Sequence, residues 1–130
     1  MLDTANIKFM TRRDLEGVII LINRKFGTNF LYSDTVSKFV ADFRKNHRTE
    51  NKWIHKISAK SRGKDFETEI QIDFSYPKFY GDDNVKLVNE NTKLKEVNDA
   101  ICTLAKEITL DDKLDPDYFE YTRIDISQQF

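Results

Sequence analysis

The sequence predicts one α+β domain in which an antiparallel β-sheet carries its helices on one face. A strict alternation of apolar and polar residues over residues 66–75 predicts a strand. Apolar residues spaced by three and four over residues 94–108 predict a long amphipathic helix. A chain of 130 residues, of which 39% are hydrophobic, can build one compact core. Residues 1–130 are therefore expected to form a single domain.

A strand and a helix are expected at the start of the chain. Residues 5–10 alternate weakly and predict the strand. Its inward residues would be Ile7 and Phe9. Thr11 followed by Asp14 resembles a capping box at a helix N-terminus, and Gly27 suits the helix C-terminus because glycine tolerates positive φ. Between these signals, apolar residues recur at helical spacing: Leu15, Ile19, Ile22 and Phe26.

A second helix is predicted directly after the first, over residues 34–46. Ser33 or Asp34 would cap its N-terminus, since short polar side chains accept hydrogen bonds from free helix N–H groups. One apolar stripe at helical spacing supports it: Val36, Phe39, Val40 and Phe43. Both helices would then belong to the first crossover of the sheet.

A β-hairpin is predicted in the middle of the chain. Its first strand covers residues 52–59, anchored by Trp53 and Ile57, and its turn covers residues 61–64. Its second strand is the alternating segment of residues 66–75. The polar side chains of that strand would point away from the core: Glu67, Glu69, Gln71, Asp73 and Ser75.

A helix and a last strand complete the predicted domain. Pro77 ends the alternating strand because proline lacks the donor that a central ladder needs. The long helix over residues 94–108 is followed by an acidic turn at residues 111–117. Residues 119–126 predict the final strand. In that strand Ile124 and Ile126 would point inward, and Tyr121, Arg123 and Asp125 would point outward.

The resulting order, β-αα-β-β-α-β, matches a ferredoxin-like arrangement with an additional helix in the first crossover. Right-handed crossovers would place all helical segments on one face of the antiparallel sheet. The opposite face would carry the polar side chains of each strand. Function is expected on that polar face, because a fold alone does not specify a function.

The cysteine count and the apolar runs favour an intracellular protein. Cys102 is the single cysteine, so no internal disulfide can form. The N-terminus shows no basic segment followed by an apolar run, and so no signal peptide is predicted. The longest apolar run, residues 18–22, is far too short to span a membrane. We expect a cytoplasmic location and no membrane association.

Basic and acidic residues are segregated along the chain. Residues 1–64 contain fourteen Lys and Arg against six Asp and Glu, whereas residues 65–130 contain seven against sixteen. Such asymmetry indicates a surface that faces a polyanion. The alternative is that the two halves neutralise each other within the fold. Composition alone leaves both interpretations open.

The densest basic stretch covers residues 44–64, where Glu50 is the one acid. Its cations would contact DNA phosphates and Trp53 would stack on a base. The alternative is a solvated basic hairpin with Trp53 in the core. With two basic residues from elsewhere, the predicted DNA-binding set is Arg44, Lys45, Arg48, Lys52, Trp53, Lys56, Lys60, Arg62, Lys64, Lys78 and Arg123.

Carboxylates on the outward sheet face form a candidate metal site. Mg²⁺ and Mn²⁺ prefer oxygen ligands, and the predicted ligands are Asp125, Glu69 and Asp73. The alternative is an ordinary solvated polar face. His47 and His55 do not form a compact imidazole pair, and Cys102 has no neighbouring histidine in sequence to activate it. Neither residue type therefore predicts a further catalytic site.

Three stretches, taken in order, resemble phage and plasmid replication initiators of the filamentous-phage type. Residues 1–9 (MLDTANIKF) resemble the opening strand of these proteins. Residues 69–85 resemble their strand followed by a Pro-Lys, Gly and Asn loop. Residues 121–126 (YTRIDI) resemble their Arg-Ile-Asp strand, at a similar distance past a similar helix.

The resemblance implies a part in rolling-circle replication. Such initiators bind an origin and nick one strand with a tyrosine that becomes linked to the 5′ phosphate, using a divalent metal. Asp125 would correspond to a metal ligand, whereas Gln129 stands where a second acid often follows. The nucleophilic tyrosine would lie beyond Phe130. We therefore expect this chain to be the N-terminal part of a larger initiator and inactive as a nicking enzyme by itself.

Three functional hypotheses follow from the residues and the resemblance. The leading one is a DNA-binding N-terminal domain of a rolling-circle initiator that contacts single- or double-stranded origin DNA. The second is a non-enzymatic interaction module from a mobile element that forms a homodimer or recruits a partner. The third is a complete small nuclease that uses Glu69, Asp73 and Asp125 with Mg²⁺ or Mn²⁺.

Overall fold

The computed structural model describes residues 2–33, 35, 37–43, 53–62, 67–79 and 91–126, with side chains for all of these except 2, 3, 77, 78, 91–94, 125 and 126. Its strands are β1 (Leu2–Thr11), β2 (Lys38–Asp42), β3 (Ile54–Ser61), β4 (Thr68–Ser75) and β5 (Glu120–Ile126). Its helices are α1 (Leu15–Phe26), the single-turn α2 (Tyr76–Phe79) and α3 (Asn91–Thr109). A 3₁₀ turn at Pro116–Tyr118 leads into β5.

The five strands form one sheet in the order β2-β3-β4-β1-β5, and every neighbouring pair is antiparallel. The central strands β4 and β1 lie far apart in sequence, with Thr4 opposite Ser75 and Thr11 opposite Thr68. Because β1 and β4 are joined by a long segment of the chain, their pairing is set by which residues are buried rather than by a tight turn between them. The prediction of an α+β chain with an antiparallel sheet is confirmed for the described residues.

The hydrophobic core lies between one face of the sheet and the two longer helices. In β4 the inward residues Ile70, Ile72 and Phe74 are completely buried, as the alternation predicted. Each fully buried side chain of this size contributes roughly 1.5–3 kcal/mol of transfer free energy. Both helices add apolar residues at three- and four-residue spacing: Leu15, Val18, Ile19 and Ile22 from α1, and Val97, Ile101, Leu104 and Ile108 from α3.

The residues at the two ends of α1 explain where the helix begins and ends, and they differ from the prediction at its N-terminus. The N-cap is Asp14, whose carboxylate accepts a hydrogen bond from the Gly17 N–H at 2.8 Å. Thr11, which the sequence suggested as the cap, instead donates to Asp111 beyond α3. Gly27 ends the helix with a φ of 66°, as predicted, because glycine has no Cβ to oppose this conformation.

The predicted second helix over residues 34–46 is wrong where the structure describes it. Residues 38–42 form strand β2, which pairs with β3. The apolar residues of this segment satisfy both the helical period and the period of two. Pairing with β3 favours the second, because Phe39, Ala41 and Phe43 then all face the core.

The final strand carries a second correction. Tyr121 was predicted to point outward, but its hydroxyl donates to the Asn98 side chain on α3 at 2.6 Å. The register between β1 and β5 shifts between Asn6 and Ile7, so the alternation of β5 is interrupted there. As a result Tyr121 lies on the helix side, while Arg123 lies on the polar face as predicted. No helix in the described part of the chain is long and apolar enough to cross a membrane.

Candidate functional site

The polar face of the sheet contains a depression with a volume of about 370 Å³, which we call the polar trough. It arises because residues at alternate positions of β1, β3 and β4 point away from the core. The central strands β4 and β1 form its floor, and β2, β3 and β5 form its sides. The lining residues are Asn6, Lys38, Val40, Lys56, Ser58, Ala59, Lys60, Glu69, Gln71, Asp73, Thr122 and Arg123.

Asp73 is the most connected residue of the trough floor. It is only 7% exposed, and its Oδ1 accepts hydrogen bonds from Asn6 Nδ2 at 2.7 Å and from an Arg123 guanidinium nitrogen at 3.3 Å. Lys56 Nζ lies 3.7 Å from the other carboxylate oxygen. A carboxylate this buried requires such partners, because removing it from water without them would be costly. The negative charge of Asp73 is therefore compensated within the site.

Glu69, four residues before Asp73 on the same face of β4, has an equivalent set of partners. It is 8% exposed and accepts a hydrogen bond from Arg62 at 2.8 Å. Lys8 Nζ lies 3.9 Å from the same oxygen and 3.3 Å from the exposed carboxylate of Glu120. Both acids of the floor are thus neutralised by cations that stand at its edges.

Two lysines remain at the side of the trough without an acidic partner in the described part of the chain. Lys38 of β2 and Lys60 of β3 lie directly opposite each other in the strand register, and both are exposed. Like charges at directly opposed positions destabilise a strand pair. An anion bound between or above them would remove this repulsion. Glu69 lies opposite Lys60 in the register between β3 and β4, but its carboxylate forms its ion pairs with Lys8 and Arg62.

The opposite side of the trough is formed by β5. Thr122 and Arg123 both reach the polar face there, because Thr122 is the additional residue of β5 where its register with β1 shifts. The Thr122 hydroxyl donates to the side-chain oxygen of Asn6, whose amide nitrogen in turn donates to Asp73. This chain of contacts fixes the Asn6 carboxamide in one orientation, because each of its polar atoms has a defined partner.

The predicted metal ligands do not converge on one point. Glu69 and Asp73 are four residues apart on one strand, which separates their Cα atoms by about 13 Å. Each is already paired with cations, and no group of three or more Asp, Glu, His or Cys side chains suitable for a metal occurs among the described residues. These two carboxylates therefore do not fit a shared divalent ion. The side chain of Asp125 lies outside the described set, so its assignment as a ligand stays a prediction.

Part of the predicted DNA-binding set comes together on the polar face. Lys56, Lys60 and Arg123 line the trough, and Arg62 contacts its floor through Glu69. Trp53 lies on the opposite side of the sheet, edge-on to Phe74 and Phe79, so it cannot stack on a base held in the trough. The other predicted residues, or in the case of Lys78 its side chain, lie outside the described residues: Arg44, Lys45, Arg48, Lys52, Lys64 and Lys78.

The predicted site lacked seven residues that line the trough, Asn6, Lys38, Val40, Ser58, Ala59, Gln71 and Thr122, and also Lys8, which contacts Glu69 of its floor. Asn6 and Lys8 could have been found, because they alternate with the inward residues Ile7 and Phe9 of a strand that the sequence did predict. Gln71 was placed on the correct face but was given no role. Lys38 was missed because its segment was predicted to be helical.

Three titratable groups on the helix side of the sheet have raised pKa values: Tyr76, Tyr121 and Cys102. Burial raises the pKa of the Tyr76 hydroxyl, and the neighbouring Tyr121 raises it further. Burial likewise raises the pKa of Tyr121 and of the Cys102 thiol. All three groups are therefore kept in their neutral, less nucleophilic forms near neutral pH. None has the lowered pKa expected of an activated nucleophile.

Comparison with protein-family models, with curated proteins and with solved structures found no match to this chain. Its function must therefore be inferred from the chemistry of its own surface. In the part of the chain that the structure describes, the polar trough contains exposed lysines without an acidic partner and polar side chains without a hydrogen-bond partner.

Proposed function

We propose that this chain binds DNA through the polar trough, as the N-terminal domain of a rolling-circle replication initiator. The observation that carries the proposal is the opposed pair Lys38 and Lys60, which has no acidic partner in the described structure. Lys56 lies four residues from Lys60 along β3, and Arg123 lies on the other side of the trough. Phosphate groups would supply the anions that these positions lack.

The arrangement of charge favours a polyanion over a small cation. The acids of the floor, Glu69 and Asp73, are buried and paired, whereas the basic side chains around them are partly or fully exposed. From β3 to β5 the trough spans three strand spacings, or about 14 Å. A nucleic-acid strand lying on the face would therefore have cations on both sides of it.

Two further observations support the link to replication initiators. The stretches that resemble those proteins fall on β1, β4 and β5, and all three strands contribute to the trough. The strand order β3-β4-β1-β5 is that of a ferredoxin-like sheet, with β2 added at one edge, and we propose this interpretation of the fold.

Fluorescence anisotropy with labelled single-stranded and duplex DNA at low salt tests the proposal. The double variant Lys38→Gln/Lys60→Gln should bind more weakly, and the slope of log affinity against log salt should fall by about 1.4 to 1.8 for two lost phosphate contacts. The matched control is Lys95→Gln/Lys106→Gln, which removes the same charge from the exposed surface of α3. No binding by the native chain, or an equal loss in the control, would contradict the proposal.

A second candidate function is a homodimerisation module. The observation that favours it is the exposure of Tyr121 and Ile124, at 44% and 50%, on β5. No described strand pairs with the outer edge of β5, and such edges can pair with another chain. Sedimentation analysis of the native chain and of Ile124→Lys distinguishes the candidates. A stable dimer that this substitution dissociates, together with an absence of DNA binding, would favour the module.

A further inference from the structure

The outer edge of β2 is open in the described part of the chain. Strand β2 ends the sheet, and no described strand pairs with its outer side. In an antiparallel pair, every second residue exchanges its backbone hydrogen bonds with the neighbouring strand. The Phe43 N–H donates to His55 O at 2.8 Å. At the other end of the pair, the Ser61 N–H donates to Ser37 O at 2.8 Å. The odd-numbered residues of β2 are therefore bonded to β3, and the N–H and C=O groups of the even-numbered residues point toward the open edge.

The even-numbered residues of β2 also carry their side chains on the polar face. Lys38 and Val40 are exposed there and line the polar trough. The alternation of the strand places Asp42 on the same face. Along the strand, a cation, a valine and a carboxylate thus follow one another at intervals of two residues. This pattern is complementary to itself, because reversing the strand exchanges the cation and the carboxylate.

One antiparallel register of two β2 strands uses this complementarity. With Val40 opposite Val40 of the second copy, Lys38 of each copy lies opposite Asp42 of the other, because a two-fold axis repeats every contact. The backbone groups that point toward the open edge then meet in hydrogen-bonded pairs. Shifting this register by two residues removes both charge pairs. Since opposite charges at directly opposed positions stabilise a strand pair, charge selects this register over its neighbours.

The same register supplies a carboxylate to the opposed lysines of the polar trough. Within one copy, Lys38 lies opposite Lys60 and has no acidic partner in the described structure. Asp42 of the second copy would lie on the other side of Lys38. The row that crosses the joined sheet would contain Glu69, Lys60 and Lys38 of one copy, followed by Asp42, Lys56 and Asp73 of the other. Each lysine of this row then has a carboxylate at a neighbouring position.

We infer that the outer edge of β2 binds a second copy of this chain, so that two sheets join by antiparallel pairing of β2 with β2. This contact lies at the opposite side of the sheet from β5. It requires no DNA, although Lys38 takes part in it as well as in the proposed DNA binding. A strand of five residues forms a small interface. The dimer is therefore expected to be weak, reversible and sensitive to salt.

Sedimentation equilibrium of the full chain without DNA, at low salt and at concentrations up to about 1 mM, tests this inference. The native chain should form a dimer whose affinity falls as salt is added. Asp42→Lys opposes two cations at both charge pairs and should weaken dimerisation about tenfold or more. Lys38→Asp opposes two carboxylates and should have the same effect. The thermal unfolding midpoint of each variant verifies that the fold is retained.

An equimolar mixture of the two variants tests the register itself. In a heterodimer of Asp42→Lys with Lys38→Asp, opposite charges again face each other at both positions, once as in the native dimer and once with the signs exchanged. The mixture should therefore associate with about the native affinity, although each variant alone associates poorly. Damage to the fold of either variant would not give this recovery. The control variant is Ile124→Lys on β5, which should leave the dimer intact.

Each outcome of these measurements has a defined meaning. A native chain that stays monomeric over the whole concentration range overturns the inference. A dimer that Ile124→Lys dissociates and Asp42→Lys leaves intact forms through β5, which also overturns it. A mixture that stays monomeric while the native chain dimerises overturns the pairing of Lys38 with Asp42. If the dimer behaves as expected and the chain binds no DNA, the proposed function fails and the inference stands.

Discussion

The two faces of strand β4 are buried to almost the same extent by different physical means. On the helix side, Ile70, Ile72 and Phe74 are excluded from water by non-directional apolar packing. On the polar side, Glu69 and Asp73 are covered by the cations and the amide that bind them. The packing of the first face does not depend on the charge of its side chains. The second face depends on charge, so it is the one that a ligand can alter.

The helix-side face should show the largest effect of a single substitution. Ile72→Ala removes a completely buried side chain from the centre of the core. We expect a loss of about 2–5 kcal/mol in the free energy of unfolding, because both the transfer term and the cavity act at this site. Urea unfolding followed by circular dichroism provides the measurement. A loss below that of the polar-face variants would contradict the comparison.

The polar face should show an intermediate effect. Asp73→Asn keeps the shape of the side chain but removes the charge that Lys56 and Arg123 neutralise. We expect a loss of about 1–3 kcal/mol, limited because both cations are partly exposed and can regain water. The same unfolding assay applies, with Glu120→Gln as an exposed control that should change stability by less than about 0.5 kcal/mol. Equal losses of stability in Asp73→Asn and in the control would show that the ion pairs of Asp73 do not stabilise the fold.

The loss of the Asp111 carboxylate, which accepts a hydrogen bond from Thr11, should have the smallest effect on stability, and this effect should depend on pH. Burial alone would raise the pKa of Asp111, but hydrogen bonds from the Lys113 and Arg12 N–H groups and the Thr11 hydroxyl lower it below its ordinary value of 3.8. A lowered folded-state pKa stabilises the fold above the unfolded value, and this contribution is lost as pH falls through the folded value. Asp111→Asn should therefore be slightly less stable than the native chain at neutral pH.

The pH profile of unfolding tests this prediction. The native chain and Asp111→Asn should converge in strongly acidic buffer, where Asp111 is protonated in both the folded and the unfolded states. A stability difference that stays constant from neutral to strongly acidic pH would exclude the lowered pKa as its cause.

Local patterns were sufficient for much of the fold. The alternation in β4, the spacing in α3 and the glycine that ends α1 each depend on one dominant physical preference. Residues 38–42 could not be assigned in the same way, because their apolar residues fit two periods and only pairing with β3 selects one. The orientation of Tyr121 also escaped prediction, since it depends on the additional residue Thr122 in β5, where its register with β1 shifts.

The site was less predictable than the fold, because it depends on neighbours that are distant in sequence. The outward carboxylates of β4 could be predicted from the sequence. Their ion pairs with Lys8, Arg62 and Arg123 could not, because these pairs depend on the order of the strands in the sheet. Trp53 could be placed in a basic stretch but not on a face, because the side of the sheet on which it packs is set by Phe74 and Phe79. Charge along a sequence therefore does not define charge on a surface.

The opposed lysines Lys38 and Lys60 have a consequence for the solubility of the chain. Strand β2 ends the described sheet, and an edge strand with lysine resists the strand-to-strand association that leads to aggregates. Any anion that neutralises the pair also weakens this protection. If DNA binds at these lysines as proposed, the chain with bound DNA should associate laterally more readily than the free chain.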